Sequence, residues 1–188
     1  MVPGSSRALA ELMRAYCGGD AAAFRELYAQ VGPRIRGYLL RLAGDHALAD
    51  DLLQGTFLRV HRARGSYIEQ ADPLPWLYAI AHRLFIDEMR RRKRQPLALP
   101  NDADGLMLVD DSRGVHEGLE QQLDAERAMN ALHQLSPEQK QAVVLTKLEG
   151  RSMQQAAEIA GVTLAAMKVR AHRGYVALRR AMEASESK

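Results

Sequence analysis

The sequence predicts an all-α protein made of two small helical domains joined by an acidic flexible linker. Apolar residues recur at helical spacing through most of the chain, and no stretch shows the sustained alternation of polar and apolar residues that a half-buried strand requires. Acidic residues, glycine and proline gather in one segment between the two helical regions. At 188 residues, with 47% of them hydrophobic, the chain can form two modest cores.

The predicted organisation has five parts. Residues 1–17 form an N-terminal extension, residues 18–96 the first domain, residues 97–120 the linker, residues 121–183 the second domain and residues 184–188 a tail. Against Arg113 alone, the linker carries six acidic residues: Asp102, Asp104, Asp110, Asp111, Glu117 and Glu120. It also contains an apolar island at residues 106–109, which either docks on a partner or packs on a neighbouring domain.

Four helices are predicted in the first domain, because acidic caps and helix-ending glycine or proline residues recur along it. These boundary residues are, in chain order, Asp20, Gly32 with Pro33, Gly44, Asp45, Asp72 with Pro73, and Pro96. The third helix buries an apolar stripe that includes Phe57, and the fourth runs through Trp76 into a run of arginines. Trp76 and Tyr78 are candidates either for the core or for stacking on bases.

The second domain contains two capping boxes, at residues 136–139 and 152–155, and each predicts the start of a helix. Residues 154–180 have the layout of a helix-turn-helix, with a short helix, a turn at Gly161 and a longer second helix. Met167 and Ala171 belong to the predicted inward stripe of that second helix. The alternative is an ordinary αα-hairpin with a solvated basic face.

Two basic clusters stand out against a net charge of only +3. Five cations follow one another from Arg90 to Arg94, and the second helix of the helix-turn-helix turns Lys168, Arg170, His172 and Arg173 outward. Neighbouring like charges repel unless solvent screens them or an anion neutralises them. A helix C-terminus also favours cations, so neither cluster is decisive alone. Two clusters on two domains favour a nucleic-acid partner.

No catalytic residue, metal site or cofactor is predicted. Cys17 is the only cysteine, and the six histidines show no metal-ligand spacing. The sequence contains no glycine-rich phosphate loop and no nucleophile motif, so we do not expect an enzyme. It has no apolar run of the roughly 18 residues that a membrane span needs and no signal-peptide core, so we expect a cytoplasmic protein.

Three motifs in order resemble the extracytoplasmic-function (ECF, group IV) RNA polymerase sigma factors of the sigma-70 family. The family helix that binds the polymerase clamp is similar to ADDLLQGTFLRVHR at residues 49–62. The helix that reads the minus-10 element is similar to WLYAIAHRLFIDEMRRRKR at residues 76–94. The domain that reads the minus-35 element is similar to residues 135–180, which include the helix-turn-helix. The resemblance spans roughly residues 18–183.

The resemblance implies three sets of site residues. The polymerase-facing set is Asp50, Asp51, Gln54, Phe57 and Arg59. The minus-10 set is Arg83, Asp87, Arg90, Arg91, Arg92, Lys93 and Arg94. The minus-35 set is Thr163, Lys168, Arg170, His172 and Arg173. The chain departs from the family pattern at His82 with Arg83, and at Gly55, which costs a helix about 1 kcal/mol.

The implied partners are core RNA polymerase, through the clamp of its β′ subunit, promoter DNA and an anti-sigma factor. The implied function is that of an alternative sigma factor, held inactive by the anti-sigma factor. Two other functions fit parts of the sequence. A sigma mimic that sequesters an anti-sigma factor has no need of two basic faces, and a stand-alone helix-turn-helix regulator has no need of a clamp-binding helix.

Overall fold

The computed structural model of the protein describes residues 3–69, 71–94 and 127–186, and every regular element in these ranges is a helix or a helical turn. The elements are α1 (Pro3–Cys17), α2 (Ala21–Ala43), α3 (His46–Ala63), a 3₁₀ turn (Arg64–Ser66), α4 (Pro73–Arg94), α5 (127–133), α6 (Pro137–Val143), a π-helical turn (Val144–Leu148), α7 (Met153–Ala160) and α8 (Leu164–Glu186). The all-α fold class is confirmed. The linker at 97–120, with its acidic residues and apolar island, lies outside the described residues.

Capping residues begin the helices where the sequence predicts. Asp20 and Asp45 accept hydrogen bonds from backbone N–H groups of α2 and α3. Ser136 and Ser152 form complete capping boxes with the glutamines three residues later. These side chains satisfy N–H groups that the first helical turn leaves without partners, so local sequence is enough to fix these starts.

The predicted break between two helices at Gly32 and Pro33 is wrong. Helix α2 runs without interruption from Ala21 to Ala43 and carries Pro33 inside it. A proline within a helix removes one hydrogen bond and crowds the preceding turn. Val31 and Ile35, on either side of it, are fully buried against the other helices of the bundle, and that packing holds the helix together through the proline.

Residues 1–17, set apart in the sequence as an extension, contain helix α1. Leu9, Met13 and Tyr16 lie at i, i+4 and i+7 and are buried against α2 and α4. The helix therefore contributes to the core of the first bundle, which we define as α1–α4.

The second bundle consists of α5–α8, and the two bundles are in contact. Helices α2 and α4 of the first pack against α6, α7 and the π-helical turn of the second. We call this contact the junction. Buried apolar residues continue from one bundle to the other across it.

Within the second bundle, Gly174 permits a close approach of α8 to α6. A Cβ atom at this position would lie 2.7 Å from Cγ2 of Val143 and 3.0 Å from the backbone oxygen of Gln139. Because backbone cannot rotate away, the glycine allows α8 to cross α6 at short range. The crossing fixes the second helix of the helix-turn-helix on its support.

Candidate nucleic-acid interface

The arginine run forms the C-terminal end of α4, and all five of its side chains are exposed. Two of them are partly neutralised from within the helix. Glu88 accepts two hydrogen bonds of 2.8 Å from the guanidinium of Arg91 and one of 3.0 Å from that of Arg92. Hydrogen bonding to Arg91, with a smaller contribution from Arg92, lowers the pKa of Glu88 to about 2. One buffering carboxylate therefore reduces the repulsion within a run that still carries a strong positive charge.

Two residues predicted for different partners lie side by side in the first bundle. Arg59 of α3 donates a 3.3 Å hydrogen bond to the carboxylate of Asp87 on α4. Both side chains are about half exposed, so this ion pair contributes little stability and can exchange for other partners. Arg83, one turn before Asp87, is also exposed.

The second helix of the helix-turn-helix is α8, and Thr163 begins it. The hydroxyl of Thr163 accepts a hydrogen bond of 3.2 Å from the backbone N–H of Ala166. Lys168, His172 and Arg173 are exposed on the same helix. Arg170 is only half-buried, and its charge helps to lower the pKa of His82 in the first bundle.

An open groove of about 320 Å³ runs between α6 and α8. It is lined by Gln139, His172, Arg173, Val176, Ala177 and Arg180. Arg173 and Arg180 are seven residues apart, which places them on one side of the helix and along one edge of the groove. Two guanidinium groups beside an amide form a surface suited to phosphate oxygens. Arg180 is missing from the predicted set, although its spacing from Arg173 was visible in the sequence.

The predicted polymerase-facing residues lie on α3 and fall into three groups. Asp51 and Gln54 are exposed, and Arg59 is paired as described. Asp50 is held by Arg36 of α2 through two hydrogen bonds, of 2.5 and 3.1 Å. This pairing lowers the pKa of the Asp50 carboxyl. The carboxylate therefore also fastens α2 to α3.

The prediction that Phe57 faces polymerase is wrong. Its side chain is only 5% exposed, and its ring packs 4.6 Å from that of Tyr28 and 6.0 Å from that of Phe24, measured between ring centroids. It belongs to the core of the first bundle, as its place in the apolar stripe indicates. A partner docked on α3 would touch its exposed neighbours and not this ring.

Gly55 has a packing role that the sequence did not reveal. A Cβ atom there would lie 2.8 Å from Cδ2 of Leu84 on α4. The glycine lets α3 and α4 approach closely, so the clamp-like helix and the arginine-tipped helix are held against each other. A larger residue would require Leu84 to move.

A series of hydrogen bonds between uncharged side chains crosses the junction through His82. Nδ1 of His82 lies 3.2 Å from the hydroxyl of Tyr38 on α2, and Nε2 lies 2.8 Å from the amide nitrogen of Gln141 on α6. An amide nitrogen only donates, so Nε2 accepts and the ring proton resides on Nδ1. Burial, reinforced by the charge of Arg170, lowers the pKa of His82 to about 4. The histidine is therefore neutral at pH 7.

A charged cluster crosses the same junction beside it. Glu149 is 8% exposed; it accepts a hydrogen bond from the hydroxyl of Tyr78 and another, of 3.0 Å, from Arg41. Arg151 is equally buried; it lies 3.9 Å from the carboxylate of Asp72 and stacks 5.8 Å above the ring of Tyr78. Sequence reasoning missed this cluster, because its members are up to 108 residues apart and no spacing along the chain links them.

The packing of the two aromatic candidates on α4 indicates their role. Tyr78 is fully buried and bonded to Glu149, so it is not available to stack on bases in this arrangement. Trp76 is half-buried, with its ring 5.6 Å from that of Tyr67 between centroids. The core alternative therefore describes both residues here.

Within the described part of the chain, no group of three or more His, Cys, Asp or Glu side chains is arranged to hold a metal ion. None of the described helices is both long and apolar enough to cross a membrane.

Two family models match the chain, namely sigma-70 region 2 over residues 27–95 and sigma-70 region 4 over residues 125–178. The chain is 37% identical over 174 residues to the RNA polymerase sigma factor CarQ of Myxococcus xanthus. The matched region covers 89% of this chain and 93% of CarQ. It is 36% identical over 180 residues to the ECF RNA polymerase sigma factor SigF of Caulobacter vibrioides, covering 95% and 96% of the two chains.

Solved structures show a similar fold. The sigma factor RpoE, in its complex with the anti-sigma factor NepR from Bartonella quintana, matches with a TM-score of 0.69 and 28% identity, over 85% of this chain and 96% of that one. CnrH, in complex with the cytosolic domain of CnrY, matches with a TM-score of 0.68 over 95% and 97% of the two chains. At 21% identity, the second comparison concerns the fold alone.

Proposed function

The chain belongs to the extracytoplasmic-function sigma factors of the sigma-70 family, and we propose that it brings core RNA polymerase to promoters with a minus-35 and a minus-10 element. The observation that carries this proposal is the pair of exposed basic surfaces, one on each bundle. The first is the arginine-tipped end of α4, and the second is the outer face of α8 with its groove. Cations on both bundles supply the phosphate contacts that position a protein on DNA.

The proposed division of labour follows the two bundles. Residues 18–96 bind polymerase and the minus-10 element, with Arg83, Asp87 and the run from Arg90 to Arg94 on the DNA. Residues 121–183 bind the minus-35 element through Thr163, Lys168, Arg170, His172 and Arg173, to which we add Arg180. On α3, the exposed Asp51, Gln54 and Arg59 meet the clamp of the polymerase β′ subunit, and Asp50 supports them through Arg36.

The closed arrangement of the bundles is, in this proposal, the form that does not initiate transcription. Two promoter elements about two helical turns apart on DNA are separated by roughly 70 Å. Bundles that contact each other through Glu149 and His82 do not reach both elements at once. Opening the junction is therefore a step of holoenzyme formation, and the linker at 97–120 spans the separated bundles.

An anti-sigma factor is the proposed partner that maintains the inactive state. The support is the likeness to RpoE, whose structure was determined with the anti-sigma factor NepR. A sigma mimic that merely sequesters an anti-sigma factor remains the competing proposal, and the two exposed basic surfaces argue against it. We further propose that the protein works in the cytoplasm without cofactor or catalysis of its own, since its family consists of transcription initiation factors.

The test is run-off transcription with purified core polymerase on a promoter library. Wild-type chain is compared with a triple Arg90→Ala, Arg91→Ala, Arg92→Ala variant and with Arg173→Ala. Arg7→Ala, which removes an exposed arginine from α1, is the matched control. We expect the triple variant to lose initiation broadly and Arg173→Ala to lose it only where the upstream element matters. Initiation that does not depend on the chain at all would refute the proposal.

A further inference from the structure

Val169 is an apolar side chain in an unusual place. It is 49% exposed on the second turn of α8, and its neighbours on the helix surface at i−4, i+3 and i+4 are Ala165, His172 and Arg173, all exposed as well. Met167 and Ala171, on the opposite side of the helix, are completely buried and make the contact with the rest of the bundle. Val169 therefore contributes nothing to the core of the second bundle.

The position of Val169 along α8 matches the part of a recognition helix that touches base edges. In helix-turn-helix proteins, the N-terminal residues of the second helix lie deepest in the major groove. Val169 is the sixth residue of α8, whereas Arg180, at the far end of the groove, is the seventeenth. Helical side chains lean toward the N-terminus, so the two methyl groups of Val169 project over the small Ala165 and Ala166. A flat base edge can approach them there.

We infer that Val169 is a specificity-determining residue that contacts the 5-methyl group of a thymine in the upstream promoter element. This inference rests on the proposed function. In the major groove, the thymine methyl group is the one apolar feature that an aliphatic side chain can recognise. The cations around Val169 suit phosphates or guanine, and the hydroxyl of Thr163, which also caps the helix, suits a phosphate. Val169 therefore gives the recognition surface its preference for thymine.

The test uses holoenzyme assembled from the full chain and core polymerase. It first selects upstream elements from a library randomised at those positions, with wild type, Val169→Ala and the control Leu148→Ala. Leu148 is equally exposed, at 49%, but lies in the π-helical turn outside α8. We expect wild type and Leu148→Ala to select thymine at one position at least. The preference of Val169→Ala for thymine should be about fourfold weaker, which corresponds to the free energy of burying one methyl group. Alanine favours helix, so the variant keeps its fold.

A second arm replaces each selected thymine with deoxyuridine, which differs only by lacking the methyl group. Wild-type holoenzyme should bind one uracil-containing element about fourfold more weakly, and Val169→Ala should bind the thymine and uracil forms equally. An equal loss in both proteins at every thymine, or selection without thymine, would overturn the inference.

A holoenzyme with Arg173→Ala distinguishes a failure of the thymine contact from a failure of the proposed function. If Arg173→Ala weakens binding to all upstream elements while Val169→Ala leaves selectivity unaltered, only the thymine contact is wrong. If Arg173→Ala binds as tightly as wild type, the placement of α8 in the groove is wrong and the inference falls with it.

Discussion

The junction between the two bundles differs from their interiors in its buried polar and charged side chains. Of the five buried polar or charged residues in the described part of the chain, only Thr56 lies inside a bundle, where its hydroxyl donates to the carbonyl of Leu52. The other four, His82, Gln141, Glu149 and Arg151, are all at the junction. The bundle interiors otherwise consist of apolar residues.

This difference separates a permanent contact from a reversible one. Exposing apolar side chains to water has no compensation, so each bundle stays folded or unfolds as a whole. Polar groups at the junction can exchange their partners for water when the bundles part. A buried ion pair gives little net stability over exposed ions, although removing one member leaves the other unsatisfied. The junction also buries apolar residues, so its opening has a cost, yet it leaves the interiors of both bundles folded and is cheaper than unfolding.

The largest effect is expected inside a bundle. Leu27→Ala removes a fully buried side chain of α2 and leaves a cavity, so the free energy of unfolding should fall by about 2–5 kcal/mol. Urea denaturation followed by circular dichroism measures it. A loss below 0.5 kcal/mol would mean that the interior of the first bundle does not determine its stability.

A smaller effect is expected at the junction. Glu149→Gln removes the charge that Arg41 contacts, so closure should weaken by about 1–3 kcal/mol while helix content stays unchanged. Hydrogen exchange at α4 and α7, which face each other, measures closure. Glu158→Gln is the control, since this exposed carboxylate accepts a hydrogen bond from the nearby Gln154. Equal exchange in the two variants would speak against a closing role for Glu149.

The junction should also respond to pH through His82. Its pKa is about 4 in the closed form, below the ordinary value of 6.5, because burial disfavours the charged ring. As the pH falls below 6.5, His82 becomes protonated in the open form but stays neutral in the closed form. Closure therefore weakens progressively until about pH 4. At pH 5.5 the loss is about 1 kcal/mol.

The same hydrogen-exchange measurement across that pH range tests this dependence. His82→Gln should reduce it to the part contributed by His133, whose pKa burial also lowers. An undiminished dependence in His82→Gln would show that another group controls it.

The smallest expected effect concerns the surface charge at the end of α4. Glu88→Gln releases Arg91 and Arg92 from their shared carboxylate, so non-specific DNA binding should become tighter and its logarithmic salt slope steeper by up to about one. Fluorescence anisotropy at several salt concentrations measures this slope. Glu26→Gln is the control, since the exposed carboxylate of Glu26 accepts a hydrogen bond from Gln30 on α2, far in sequence from the arginine run, and it should leave the slope as in wild type. Identical slopes for both variants would contradict the buffering role of Glu88.

Most of the features that the sequence predicted depend on residues that are close together in the chain. The caps Asp20, Asp45, Ser136 and Ser152 act within four residues of themselves, so the helix starts were readable. The helix-turn-helix was readable for the same reason. Pro33 was misread because the packing around α2, which is a tertiary effect, outweighs the local cost of the proline.

The sequence predicted the exposed cations of the candidate site but not its long-range contacts. The arginine run and the outer face of α8 follow from spacing along one helix. By contrast, the contacts of Glu149 and of His82 join residues far apart in the chain, and only the folded arrangement brings them together. The partial burial of Arg170 was hidden for the same reason.

The distance between the bundles tests the central claim most directly. Spin labels at Arg25→Cys on α2 and Glu158→Cys on α7, two exposed positions, report it in a chain whose native cysteine is changed by Cys17→Ser. In the free protein we expect one narrow distance distribution, since the junction is closed. In the complex with core polymerase and promoter DNA, the distance should grow by tens of ångströms, as two elements roughly 70 Å apart require. The same narrow distance retained in the promoter complex, or a broad distribution in the free protein, would contradict the account.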